Sequence, residues 1–398
     1  MTGSGTIARR LRVTAASLVV LAACSATTPS PSPGDPSSGA PSPIVSTAPS
    51  GPASPATGPD TGGELMQVVA DELRLRTAAG TDASLVEALP RGTVVRVESD
   101  PVEADGFRWL EVLTIDGQTG WAADGDATDP WLAAIPDVGS GSPIVTLATV
   151  CDVVGPLNPP TTVVMDDGWV IAPDEPEVGG WVTRQLSSAG LEEIRGAVTG
   201  SPYLQASAEY VPEPKPGAEP PGHGACQYTF TVPPEGGGEP IVVSSVGWFG
   251  DEEESTFYQP SPERRTLDAL AQNLTNVIRL LDDEAWTGNA LPYVPAEVVL
   301  RIDEASGGPA PDDAPEVDPA AIGIGDIDAF GAPAGTGRCG TLSRERAFDL
   351  ARVLNQAVPG FAIRLNSVPT PYFMTGDRWF SIILGPRFPG GEPRCPES

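Results

Sequence analysis

Five cysteines, one histidine and 53 carboxylates are the side chains of this 398-residue chain that could do chemistry. A single histidine, His223 in Pro221-Gly222-His223-Gly224, excludes multi-histidine zinc sites. A Ser-His-Asp triad would have to use His223, and no Gly-x-Ser-x-Gly elbow accompanies it. Paired carboxylates can cleave glycosidic bonds. The candidates are Asp166 with Asp167, and the run Asp251-Glu252-Glu253-Glu254. Both lie in predicted turns, where acids are solvated. Gly325-Asp326-Ile327-Asp328 offers only two acids, too few for a calcium loop. Ala321-Ile322-Gly323-Ile324-Gly325 lacks the strand and helix that a phosphate loop needs. No catalytic residue, metal ligand or cofactor is therefore assigned.

Net charge narrows the partners. The formal charge is −30. A nucleic-acid binder needs a basic surface to neutralise phosphates, so that class is excluded. Attraction to anionic lipid through charge is excluded as well. Pro and Gly number 45 each, yet 40% of the chain is hydrophobic and it carries 8 Trp. Folded domains joined by Pro/Gly-rich segments satisfy both facts.

The N-terminus reads as an address. Arg9, Arg10 and Arg12 precede an uncharged apolar run, Val13 to Ala23. The run is too short for a helix of about 20 residues to cross a bilayer, and it suits a signal-peptide core. It ends in Leu21-Ala22-Ala23-Cys24-Ser25. This resembles the lipobox of bacterial lipoproteins, whose cysteine becomes the lipidated first residue. The resemblance implies that residues 1–23 are removed and that Cys24 carries the lipid. The protein would then sit on the extracytoplasmic face of the cell membrane. Loss of the three arginines shifts the formal charge from −30 to −33. Residues 24–63, rich in Pro and Ser, have almost nothing to bury and read as a disordered tether. Extended as polyproline II, the tether reaches on the order of 100 Å.

Residues 64–135 alternate in short runs bounded by turn residues, the pattern of a small all-β barrel. Leu73-Arg74-Leu75-Arg76, Leu89-Pro90-Arg91-Gly92-Thr93, Trp109 with Val112, and Gly117 with Gly120-Trp121 stand in sequence. These motifs resemble those of bacterial SH3-type (SH3b) domains. Arg74 replaces the usual Asn, and Thr77-Ala78-Ala79 replaces Ser-Gly-Pro. The resemblance implies a cell-wall peptide or glycan as candidate partner. Phe107, Trp109 and Trp121 are the aromatic side chains that could stack on it.

Residues 136–302 and 339–398 mix strand and helix patterns, with an acidic Gly/Pro-rich segment, 303–338, as a surface excursion between them. Val163 and its neighbours lead through Asp166-Asp167-Gly168 to Trp169, a hairpin. Ser187 and Ser261 are placed to cap helices, the second followed by Pro262. Cys226–Val232, Ile241–Trp248 and Val298–Ile302 read as strands, and Ser343–Ala357 as a helix. Phe361–Leu365 and Trp379–Leu384 read as closing strands. The fold class is thus multi-domain: a small SH3-like barrel, then an α+β domain with helices on an antiparallel sheet. Short phrases such as Asp167-Gly168-Trp169-Val170-Ile171 resemble secreted domains of high-GC bacteria, a resemblance that brings no function.

Four cysteines remain after lipidation, an even number in an exported chain, which favours disulfides. Three connectivities are open. Cys151–Cys226 and Cys339–Cys395 is the preferred set, because each pair brackets one side of the 303–338 segment. The sequence reads as a lipid-anchored, non-enzymatic envelope protein that binds or scaffolds. The rival is a cell-wall hydrolase with paired carboxylates within 136–398.

Overall fold

The computed structural model describes residues 63–125, 128–151, 162–174, 180–219, 226–234, 236–248, 255–304, 316–320, 324–334, 337–357, 365, 372–376, 378–389 and 395. Cys24, His223 and Asp251–Glu254 lie outside the described residues, as do Phe361–Arg364. The fold consists of several β-sheets with few helices.

The first sheet uses β1 (Leu65–Val68), β2 (Glu72–Arg76), β3 (Leu85–Pro90), β4 (Val94–Val97), β5 (Val102–Ala104), β6 (Phe107–Thr114), β7 (Thr119–Ala123) and β8 (Leu132–Ala134). They pair in the order β3-β2-β7-β6-β4-β1-β8, with β5 added on β6. Alternation places the core: Leu73 and Leu75 of β2 point inward while Glu72 and Arg74 face solvent. Leu110 and Val112 of β6 join them, with Val68, Leu89, Val95 and Ala122. Asp105 and Gly106, with φ of 53° and 81°, close the β5–β6 hairpin. The Asp105 carboxylate accepts from the backbone N and hydroxyl of Thr81, at 2.7 and 2.9 Å. Those two bonds hold its pKa below the usual carboxylate value and tie the hairpin to the first loop. The spacing of the strands predicts a small barrel, but the pairing path is open, ending at β3 and β8. Pro90 ends β3 without an N–H to donate, and β2 meets β7 through one residue pair, Arg76 opposite Trp121.

The second sheet uses β9 (Pro143–Cys151), β10 (Thr162–Met165), β11 (Trp169–Pro173), β12 (Trp181–Gln185), β13 (Ala208–Tyr210), β14 (Cys226–Val232), β15 (Ile241–Trp248) and β16 (Leu291–Pro292). Their order is β13-β15-β14-β9-β10-β11-β12-β16, antiparallel except where β13 meets β15. Every residue of β10 is buried. Val164 joins Val170, Ala172 and Phe230 in one core cluster, and Val163 and Met165 join Ile171, Tyr293 and Phe388 in another. A strand covered on both faces needs an unbroken apolar run, which is what Val163-Val164-Met165 supplies. Ile194 and Val198 of α1 (Ser188–Thr199) enter the first cluster, as do Leu267, Ala271 and Leu274 of α2 (Pro262–Thr275). The Ser187 hydroxyl accepts from Gly190 N at 3.3 Å, and the Ser261 hydroxyl from Arg264 N at 3.2 Å. Both caps lie where the sequence places them. After α2, a short α3 (Val277–Leu280) leads toward β16.

The third sheet uses β17 (Glu297–Glu304), β18 (Ala332–Ala334), β19 (Gly337–Ser343), β20 (Tyr372–Thr375) and β21 (Arg378–Pro386), ordered β18-β19-β17-β21-β20 and antiparallel throughout. Val298, Leu300 and Ile302 of β17 pack with Ala347, Phe348, Leu350, Ala351 and Leu354 of α4 (Arg344–Ala357). Val299 turns to the opposite face, beside Cys339 and Ile383. The disulfide Cys339–Cys395 lies on that face, with a Cα separation of 5.6 Å. The surface excursion predicted over 303–338 is different in its described part. Val317, Ile324, Ile327 and Phe330 are buried in the core beneath α4, because these four apolar residues punctuate the acidic segment. Among the described residues, no helix is long and apolar enough to cross a membrane.

Candidate functional site

Trp109 is 3% exposed and donates its indole N–H to Ala104 O at 3.0 Å. It pairs in register with Val102 of β5. Its ring therefore fills space and is closed to a ligand, contrary to its sequence-based assignment as a stacking residue. Phe107 is half-buried, its ring 5.2 Å from that of Trp131. Trp121 is half-buried on β7, opposite Glu111 and Arg76. The three aromatics do not converge on one pocket.

A cavity of about 610 Å³ lies instead where the first sheet meets the second, within the size range of ligand sites. One wall comes from the first sheet. The β3–β4 turn places Arg91, held by Arg91 N to Asp71 O at 3.1 Å and Nη2 to Asp71 Oδ1 at 2.7 Å. Trp131 is fixed by its backbone, donating to Asp124 O at 2.9 Å and accepting from Val69 N at 2.9 Å. The other wall comes from the second sheet. Trp169 opens β11 directly after the Asp166-Asp167-Gly168 turn, and its backbone N–H donates to Asp167 Oδ1 at 3.3 Å. Gly168 has φ of 90°, the conformation a tight turn asks of glycine. Gln185 is the cross-strand partner of Trp169, and its carbonyl accepts from Thr287 N at 2.9 Å. The strand-to-strand loop beyond is held by Arg184, which donates to Gly288 O at 2.6 Å and lies 4.7 Å over the Trp286 ring. Asn289 and Leu291 follow on the cavity wall.

The two walls are locked together. Gln67 Nε2 donates to Pro292 O at 2.9 Å. A Cβ on Gly92 would fall 2.1 Å from Pro292 Cγ, so this turn accepts only glycine against β16. The third sheet also grips the first. Arg96 pairs with Asp349 of α4 at 2.8 Å, and Asn355 donates to Asp116 Oδ1 at 3.2 Å. Leu65 and Val94 enter the core shared with α4.

Among the described residues, two carboxylates converge on one arginine elsewhere in the fold. Arg378 bonds both oxygens of Glu304, at 3.1 and 2.7 Å, and both of Asp328, at 2.9 and 3.0 Å. Those bonds hold both acids below the usual carboxylate range and raise Arg378. A general acid needs the opposite shift. Asp166 and Asp167 are exposed and bond the 140–142 turn: Asp166 Oδ1 accepts from Ser142 N at 2.9 Å, Asp167 Oδ2 from Ser140 Oγ at 3.1 Å. Cys226 and Cys151 are Cα partners on adjacent antiparallel strands.

Trp131 and Trp169 were not singled out from sequence. Each directly follows a turn residue, Pro130 and Gly168, and a Trp just outside a turn is the signal that could have found them. Residues 71–127 match the bacterial SH3 domain family. No curated protein and no solved structure matches the chain.

Proposed function

We propose that this protein is a lipid-anchored, non-catalytic binding or scaffolding component of the bacterial cell envelope. Cys24 carries the lipid, the Pro/Ser-rich segment spaces the folded part from the membrane, and the SH3-type module contacts cell-wall material. The remaining sheets and helices act as an α+β scaffold that holds this module in place. The observation that carries the reading is the bacterial SH3 match over residues 71–127, in a class of domain that commonly binds cell wall. The cavity at the edge of that segment supports it, since it offers aromatic and polar side chains to a ligand. The Arg378 clamp counts against the hydrolase reading at this site, because it holds Glu304 and Asp328 ionised and away from acid–base work. The experiment incubates lipid-free chain with purified insoluble cell wall and assays both pelleted protein and soluble fragments. Retention without release supports the proposal. Fragments that accumulate with time establish the hydrolase.

A further inference from the structure

We infer that the cavity between the first and second sheets binds an uncharged, pyranose-based glycan. Four observations carry this. First, two half-buried indoles from different sheets, Trp131 and Trp169, line one cavity. Flat aromatic faces suit the C–H faces of sugar rings, and an indole N–H can serve a hydroxyl. Second, apart from the carboxylates of Asp71 and Asp129, both engaged within the chain, the polar side chains that line the cavity, Arg91 aside, are neutral. Within the described residues, neither indole N–H nor the Asn289 carboxamide has a hydrogen-bond partner. A carboxamide both donates and accepts, which matches a sugar hydroxyl or an acetamido group.

Third, Arg91, the one cation among the lining residues, is paired with Asp71 at 2.7 Å, and Asp129 adds a second carboxylate. The chain as a whole carries −30, so an anionic polymer would be repelled and find no free cation on this wall. Fourth, the sheet edge here is closed to an extended peptide. The edge strand β16 has two residues, and one is Pro292, which has no N–H for an added strand. A neutral glycan remains as the ligand chemistry that fits both walls.

This ligand class deepens the proposed wall contact and rests on it only for the source of the glycan. The test is calorimetric titration of the full lipid-free chain with a soluble, uncharged tetrasaccharide of β-1,4-linked N-acetylglucosamine. Saturable binding is expected, weakened about tenfold in Trp131→Ala and in Trp169→Ala. Trp169 also packs beside the Ile171 cluster, so Asn289→Ala, at an exposed position, is the variant that keeps the fold. It is expected to weaken binding about threefold. Absence of saturable binding overturns the inference, and so does binding that all three substitutions leave unchanged. Wall-type peptide that titrates in place of the tetrasaccharide overturns it too. Tetrasaccharide binding without retention on insoluble wall upholds this site and removes the envelope reading. Wall retention without tetrasaccharide binding does the reverse.

Discussion

An indole on a β-strand can fill a core or line a cleft, and period-two alternation does not decide which. Trp109 and Trp169 show the two outcomes. Trp109 shares its strand face with Phe107 and Glu111, away from the Leu110 and Val112 core, so it reads as available. In the fold it is buried, and the β5 hairpin takes its indole N–H. Replacing Trp109 with Ala should therefore cost stability, about 3–5 kcal/mol in urea unfolding, and leave glycan affinity unchanged in the folded fraction. A variant of unchanged stability with lost affinity would return Trp109 to the site. What sequence could not supply here is tertiary cover. The Leu73, Leu75, Leu110 and Val112 core was legible from alternation. The hairpin that takes the Trp109 N–H turns through Asp105 at φ 53°, which no periodicity reports.

Elements fix the covalent and electrostatic frame. The Cys339–Cys395 bond joins β19 to the C-terminus, with a sequence separation of 56. On the chain-entropy account, closing a loop of this size is worth about 4 kcal/mol. Cys151 and Cys226 face each other in register across β9 and β14. Antiparallel neighbours stand about 4.5–5.5 Å apart at Cα, within the span a disulfide bridges. Non-reducing peptide maps should therefore join Cys151 to Cys226 as well as Cys339 to Cys395. A peptide linking one of the first pair to one of the second would contradict the frame. The Arg378 clamp adds a pH signature. Its hydrogen bonds depress the folded pKa of Glu304 and Asp328, so its contribution is present above the ordinary carboxylate pKa. That contribution is lost as pH falls through the depressed folded values. Urea midpoints of the native chain and Arg378→Met should differ at neutral pH and converge on acidification. A gap that is constant with pH would assign Arg378 to packing against Phe380 alone. The helix caps and most long strands were legible, because Ser-Pro starts and apolar runs are local signals. Strand β18 and the buried part of 316–330 were not, since their apolar residues are sparse, and β20 was not, since its four residues are too short a run to show a period.

At the scale of the whole molecule, the SH3-like segment is built into its neighbours. Gln67 reaches β16, Arg96 and Asn355 mark the contact with α4, and Leu65 and Val94 complete the core beneath that helix. Sequence reading could recognise the segment but not its docking, because the contacts link residues more than 200 positions apart. The proposed anchor belongs to this scale too. Cys24→Ser should move the protein from the membrane fraction to the medium. Membrane-extracted protein with an unmodified Cys24 by mass spectrometry would remove the anchor from the account.

Charge sets the most direct test of wall binding. A chain of net charge −30 is repelled by any anionic polymer of the wall, and that repulsion is screened as salt rises. The decisive measurement is the retention of lipid-free chain on purified cell wall across a salt series, with soluble fragments assayed in the same tubes. Contact through indoles and a carboxamide predicts retention that holds or rises with salt, with no fragments released. Retention that collapses with salt, or none at any salt, would contradict the account, as would fragments that grow with time.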